Sequence, residues 1–238
     1  MDSMTLLGTQ SLNRQFGGLY AVRNVTLEVY PGQVQALIGP NGAGKTTLVS
    51  MLCGRLQPSS GSISFNGKDI TRLPAWQRVR LGIVYTFQIT SIYHNLSVGD
   101  NLSIASRYSH REGQNSHQIV EQVIEQVGLS GMRDQVAGAL AYGHQRLLEI
   151  AMGLCLAPKL LILDEPTQGL SDGEIESFCN LLRGIRDIST ILLIEHNMSV
   201  VMQLADTITV LEQGSILAQG SPSDIRANQD VQKAYLGG

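Results

Sequence analysis

The spacing of apolar positions changes character along the chain, and the changes predict where its elements lie. Leu6 to Gln15 and Val25 to Tyr30 read as two β-type segments, with the turn residues Gly17 and Gly18 between them. Pro31-Gly32 punctuates the chain, and Val34 to Ile38 follows as a short, mostly apolar run of buried-strand type. Thr47 to Arg55 is helix-like, Ser62 to Phe65 alternates as a strand, and Asn66-Gly67 predicts a hairpin turn. Ile83 to Thr86 is again strand-like. From about Ser91 to Gly153 apolar residues recur three and four apart, predicting helices over Val98 to Tyr108, Ile119 to Val127 and Gln145 to Leu156. Beyond Lys159 the pattern returns to strand, helix, strand. Leu160 to Leu163 and Thr190 to Ile194 are continuous apolar runs suited to a parallel sheet covered on both faces. Thr207 to Leu211 and Ser215 to Ala218 suggest a hairpin around Gln213-Gly214, and Val231 to Leu236 a short closing helix. The expected fold is α/β in a single domain: residues 1–90 and 158–238 form the core with a flanking antiparallel β subdomain, and about 91–157 an inserted α-helical subdomain.

Composition narrows this picture. At 238 residues and 43% hydrophobic, the chain can bury a core and is balanced enough to be globular. A formal charge of −3 gives no bulk attraction to nucleic acid or anionic lipid, so no nucleic-acid partner is expected. Cys53, Cys155 and Cys179 are odd in number and widely spaced in apolar segments, which reads as buried thiols of a reducing compartment. No apolar run approaches the roughly 20 residues that span a bilayer, and Met1 to Gln10 lacks a leader pattern. A soluble cytoplasmic protein is expected, with any membrane role exercised through a partner.

The densest chemistry lies between the strand Val34 to Ile38 and the helix behind it. Gly39-Pro40-Asn41-Gly42-Ala43-Gly44-Lys45-Thr46 has the spacing of a phosphate-binding P-loop. Its glycines let the backbone curl so that successive N–H groups, through Thr47, point at phosphates, aided by the helix N-terminus. Lys45 is placed to reach the β- and γ-phosphates, and Thr46 to offer its hydroxyl to Mg²⁺.

A second element is the buried strand that ends in Asp164-Glu165. Two adjacent carboxylates at a strand terminus are costly unless they serve a cation or a proton transfer. Asp164 is therefore assigned to the metal shell and Glu165 to the general base. His196, after the strand Thr190 to Ile194, either donates to the γ-phosphate while orienting water or serves the fold. Gln88, after Ile83 to Thr86, is a candidate Mg²⁺ ligand that reports the state of the site. Phe16 is a candidate for stacking on adenine. Each of these two could equally be a core or loop residue.

Taken in order, these motifs resemble the ATP-binding cassette ATPases over nearly the whole chain. The distinguishing stretch is Leu140-Ala141-Tyr142-Gly143-His144-Gln145-Arg146, opening the helix that ends at Leu156, which is similar to the family's signature. The resemblance implies a P-loop NTPase core that binds and hydrolyses ATP with Mg²⁺. It also implies that Ala141, Tyr142, Gly143 and His144 of one subunit cap the γ-phosphate held by another, in a homodimer or heterodimer. Ala141 lacks the usual serine hydroxyl and Tyr142 replaces a glycine, so the cap would rest mainly on backbone amides. Met152 stands where an arginine is common, and Ser171-Asp172 replaces the usual Asp-Pro in the loop Gln168 to Asp172 that would cross the dimer interface.

Phe16-Gly17-Gly18-Leu19, Leu148-Glu149-Ile150-Ala151, Ile194-Glu195-His196-Asn197-Met198 and Ala234-Tyr235-Leu236-Gly237 look like the ATPase subunits of branched-chain amino acid, urea and short-amide importers. That resemblance implies a peripheral subunit on the cytoplasmic face of the inner membrane, serving polytopic permease subunits and, indirectly, a solute-binding protein. Ile89 to Leu96 would receive the permease's coupling helix, or is an ordinary active-site loop. The alternatives are the ATPase of a lipopolysaccharide or lipid exporter, and a soluble cassette ATPase without a transport role.

Overall fold

The computed structural model describes residues 5–86, 91–109 and 115–236. Strand β1 (Leu7–Phe16) turns at Gly17-Gly18 into β2 (Leu19–Val25), and the short β3 (Glu28–Val29) follows. Strand β4 (Val34–Ile38) leads through Gly39 to Gly44 into helix α1 (Lys45–Leu52). Next come β5 (Ser60–Phe65), β6 (Lys68–Asp69), α2 (Ala75–Leu81) and β7 (Ile83–Thr86). Helices α3 (Val98–Ser106), α4 (Ser116–Gln126) and α5 (Tyr142–Cys155) form the middle of the chain. Then β8 (Leu160–Asp164), α6 (Asp172–Ile185), β9 (Thr190–Ile194) and α7 (Met198–Leu204) alternate. The hairpin β10 (Thr207–Glu212) and β11 (Ser215–Gly220) precedes α8 (Pro222–Ala227) and α9 (Gln229–Leu236).

Among the described residues the strands form two sheets. In one, β1 pairs antiparallel with β2, β3 and β5, and β5 with β6. In the other the order is β11-β10-β4-β9-β8-β7, parallel except for β11. Every residue of β4, β8 and β9 is buried, as a sheet covered on both faces requires. The register sets Leu37 and Asp164 each beside Ile194, so the carboxyl ends of these three strands lie level with one another. Ligands of open α/β sheets bind at that edge.

One apolar cluster joins Val98, Leu102, Ile119, Val123 and Leu148 of the middle helices to Leu161, Leu163, Phe178 and Leu182 of the sheet and α6. Cys53, Cys155 and Cys179 are buried free thiols, as the pattern implied. Among the described residues no helix is long and apolar enough to cross a membrane.

Several boundaries differ from the sequence expectation. The first segments resolve into three strands, because β2 buries only Ala21's neighbour Val22 and then Val25, with the left-handed Asn24 (φ 50°) between, so no alternation betrays it. Helix α5 opens at Tyr142, ahead of its apolar stripe, since its first turn buries only Gly143, which has no side chain to mark the face. Helix α2 escaped periodicity altogether, because the one side chain it buries is Arg78.

Arg78 is fully buried and donates to the carbonyls of Met51 (2.7 Å), Leu52 (2.8 Å), Thr71 (3.0 Å) and Leu73 (2.9 Å). It thus satisfies the last turn of α1, where a cation also meets the negative end of the helix dipole. Burial pulls its pKa below the ordinary arginine range. Arg78→Ala is expected to cost about 3–5 kcal/mol, since it strands several buried carbonyls and opens a cavity. Urea denaturation checks this, and a loss within error of zero would refute it.

Candidate active site

The glycine-rich loop is held in its curve by sterics. Gly39 has φ 152°, and a Cβ there would lie 2.2 Å from the Leu211 carbonyl oxygen. Gly44, at φ 101°, would place a Cβ 2.3 Å from the Ala21 oxygen. No other residue fits either place. Gly44 is also the N-cap of α1 and no side chain caps that end. The first intrahelical bond is Leu48 N–H to Gly44 O, so the amides of Lys45, Thr46 and Thr47 are the orphan donors of a helix start. Lys45 is buried, and its Nζ donates to the carbonyls of Gly39 (2.6 Å) and Pro40 (3.1 Å). Burial lowers its pKa, and the carboxylates of Glu165 and Asp164 oppose that shift.

A cleft of about 690 Å³ gathers Asn41 to Thr47 with Glu165, His196 and, from β2, Tyr20 and Arg23. Residues from distant parts of the sequence thus meet, because β4, β8 and β9 end side by side. Glu165 sits in the left-handed region (φ 48°), uncommon for a non-glycine residue, which aims its side chain out of the strand line. His196 Nε2 is hydrogen-bonded to Glu165 Oε1. An ionised carboxylate only accepts, so with Glu165 ionised the proton of this hydrogen bond belongs to the Nε2 tautomer of His196.

Asp164 lies deeper, 5% exposed. Tyr85 donates its hydroxyl to Asp164 Oδ2 at 2.7 Å, and buried Arg146 donates to the Asp164 carbonyl at 2.7 Å while pairing with Glu149. Burial raises the Asp164 pKa, the Tyr85 hydrogen bond lowers it, and Glu165 raises it again. The oxygens of Thr46 and Asp164 are hard donors that suit a divalent cation such as Mg²⁺. Among the described residues no group of three or more His, Cys, Asp or Glu side chains could hold a metal alone. A cation here would share its shell with the phosphates of a bound nucleotide.

Two expectations fare differently. Phe16 lies outside the cleft lining, at the end of β1, with the Arg14 guanidinium 4.5 Å over its ring. Its cross-strand partner Leu19 does line the cleft, and Tyr20 is the aromatic residue within it. Gln88 falls outside the described residues, as do Ile89 and Thr90.

Ala141 to His144 do not line this cleft. They open α5, with Tyr142 46% exposed, beside a separate cavity of about 730 Å³ bordered by Gly143, His144, Ser171 and Glu174. A Cβ at Gly143 would meet Glu174 Oε1 at 2.3 Å, so any side chain there displaces the end of the Glu174 side chain. Ser171 in turn donates to Glu174 from its backbone N–H (2.8 Å) and its hydroxyl (2.6 Å), closing the start of α6. Sequence reasoning missed Tyr20, Tyr85, Arg146 and Glu195. The rule that flagged Asp164, an acid at the end of a buried strand, applies equally to Glu195 after β9.

Comparison with known proteins agrees with this geometry. Residues 22–168 match the family model described as ABC transporter, and residues 215–238 the one described as branched-chain amino acid ATP-binding cassette transporter. The high-affinity branched-chain amino acid transport ATP-binding protein LivG of Escherichia coli (strain K12) is 40% identical, with 99% of each chain covered. BraF of Pseudomonas aeruginosa, described in the same words, is 40% identical at the same coverage. A solved ATP-binding cassette of an ABC transporter, in its ADP conformation, superposes with a TM-score of 0.89 at 30% identity, covering 99% of this chain and 100% of that one. Its fold, the order of its site elements and these full-length likenesses place the chain in the ABC transporter family, as an ATP-binding cassette with ATPase activity.

Proposed function

We propose that the chain powers import of branched-chain amino acids or a related small polar solute, as one of two cassettes attached to polytopic permease subunits. The observation that carries the solute class is the match of residues 215–238, which lie beyond the stretch shared with ABC transporters generally. In this reading the protein sits peripherally on the cytoplasmic face of the inner membrane and meets a solute-binding protein only through the permease. Residues 1–90 and 158–238 bind nucleotide, and about 91–157 form the helical unit that moves with the permease. The apolar cluster shared by both parts supports a single domain.

The P-loop amides and Lys45 hold the β- and γ-phosphates. Thr46 and Asp164 would hold Mg²⁺, with Gln88 as a further candidate ligand, and the bound cation would neutralise charge on the phosphate oxygens. Glu165 accepts a proton from water as that water attacks the γ-phosphorus; the bond to the bridging oxygen breaks, leaving ADP and phosphate. His196, hydrogen-bonded to Glu165, orients the pair toward the γ-phosphate. Tyr20 or Phe16 stacks on the adenine. Ala141 to His144 of a second cassette close the site, which fits their position outside the cleft of their own chain.

The test is co-purification from membranes followed by transport in reconstituted vesicles. Capture of a polytopic permease and ATP-driven uptake of labelled leucine or valine is the expected result. Capture of lipid-export components, or of ribosomes, would overturn the import reading.

A further inference from the structure

The loop after β9 contains a carboxylate that the reaction as described does not use. Glu195 is 3% exposed, one residue before His196. Its Oε1 accepts from the Thr167 backbone N–H at 3.0 Å and from the Thr167 hydroxyl. Its Oε2 accepts from the backbone N–H groups of His196 (2.8 Å) and Asn197 (3.0 Å). Among the described residues its charge is met by these N–H and O–H donors and not by a lysine or arginine.

Burying an ionised carboxylate costs several kcal/mol unless its lone pairs are well used, and charge-assisted bonds are the strong ones. Here the two oxygens divide their donors between two loops. One side holds Thr167, two residues beyond Glu165 in a turn closed by Gln168 N–H to Glu165 O at 3.2 Å. The other side holds the backbone of His196 itself. Asn197 then caps α7, its Oδ1 accepting from Ser199 N–H at 3.0 Å, so the loop is pinned from the end of β9 to the start of the helix. The strands are already joined behind this point by Glu165 N–H to Ile194 O at 2.9 Å.

We propose that Glu195 is a positioning residue that locks the Glu165 loop to the His196 loop, so that base and histidine keep a fixed separation through turnover. The proposal rests on the reading of Glu165 and His196 as the reacting pair. A glutamine at 195 keeps the shape but sets its amide N–H₂ against the Thr167 backbone N–H or against those of His196 and Asn197, so one loop loses a backbone hydrogen bond. Thr167→Val removes one bond at constant shape, and Thr167→Ser keeps it.

The experiment measures steady-state ATP hydrolysis, nucleotide binding and thermal melting for Glu195→Gln, Thr167→Val and Thr167→Ser beside Glu165→Gln. The expected result is a kcat lowered about ten- to a hundredfold in Glu195→Gln, the scale of misplaced catalytic groups, with KM and nucleotide affinity unchanged. Thr167→Val shows a smaller loss of the same kind, and Thr167→Ser restores the parental kcat. If Glu195→Gln proves unstable, the pair at Thr167 decides. Parental kcat in Thr167→Val or in a folded Glu195→Gln, with Glu165→Gln inactive, overturns the positioning role alone. Hydrolysis at the parental rate by Glu165→Gln overturns the assignment of the base, and the proposal with it.

Discussion

Glu165→Gln is expected to lower steady-state ATP hydrolysis about a hundred- to ten-thousandfold, the range supplied by a well-placed general base, while ATP still binds. The amide is nearly isosteric and its carbonyl oxygen can still accept from His196 Nε2, so the hydrogen bond between the two loops is kept. On the proposed mechanism, what is lost is the group that takes the proton from water. Glu195, Thr167 and the strand ladder are untouched, so the loop keeps its left-handed turn at position 165. With binding intact and hydrolysis blocked, the ATP-bound dimer should accumulate, and size-exclusion chromatography with ATP would register it. The carboxylate also helps hold the proton on Lys45, so the glutamine variant should lower the Lys45 pKa further. A variant that turns over at the parental rate would remove Glu165 from the role of base.

Lys45→Ala should abolish useful nucleotide binding. Truncating one member of a buried, hydrogen-bonded charge pair costs about 2–5 kcal/mol, much of it from the partner left behind. That corresponds to affinity weakened about thirtyfold to several thousandfold. Lys45 also bridges the carbonyls of Gly39 and Pro40, so its removal loosens the start of the loop as well as deleting the charge. Equilibrium titration with a fluorescent nucleotide separates this from a folding defect when melting is followed in parallel. Undiminished affinity in a folded variant would refute the phosphate role of the lysine.

Much of the architecture was legible because burial on both faces leaves a continuous apolar signal. Ile83–Thr86, Val34–Ile38 and Thr190–Ile194 have the limits expected of them, and the hairpins at Asn66-Gly67 and Gln213-Gly214 lie where their turn residues stand. Half-exposed elements were less legible. Strand β2 and helix α2 carry no regular stripe, and the helix holding the signature begins before its first core residue. Among candidate site residues, Lys45, Thr46, Glu165 and His196 converge on one cleft, whereas Phe16 stands outside its lining and Tyr20 within it. Adjacent aromatics on opposite sides of a two-residue turn cannot be told apart by pattern alone.

The sequence by itself determined the chemistry of the chain. A phosphate loop demands glycines and a lysine at set spacings, and a pair of acids after a buried strand has few other uses, so these features are local and readable without coordinates. Only the tertiary structure decided which distant groups touch. That His196 meets Glu165, that Tyr85 and Arg146 bind Asp164, and that Glu195 ties two loops together all follow from three parallel strands ending level with one another. Strand order and register are set by packing across the whole core, and no stretch of sequence carries that information alone.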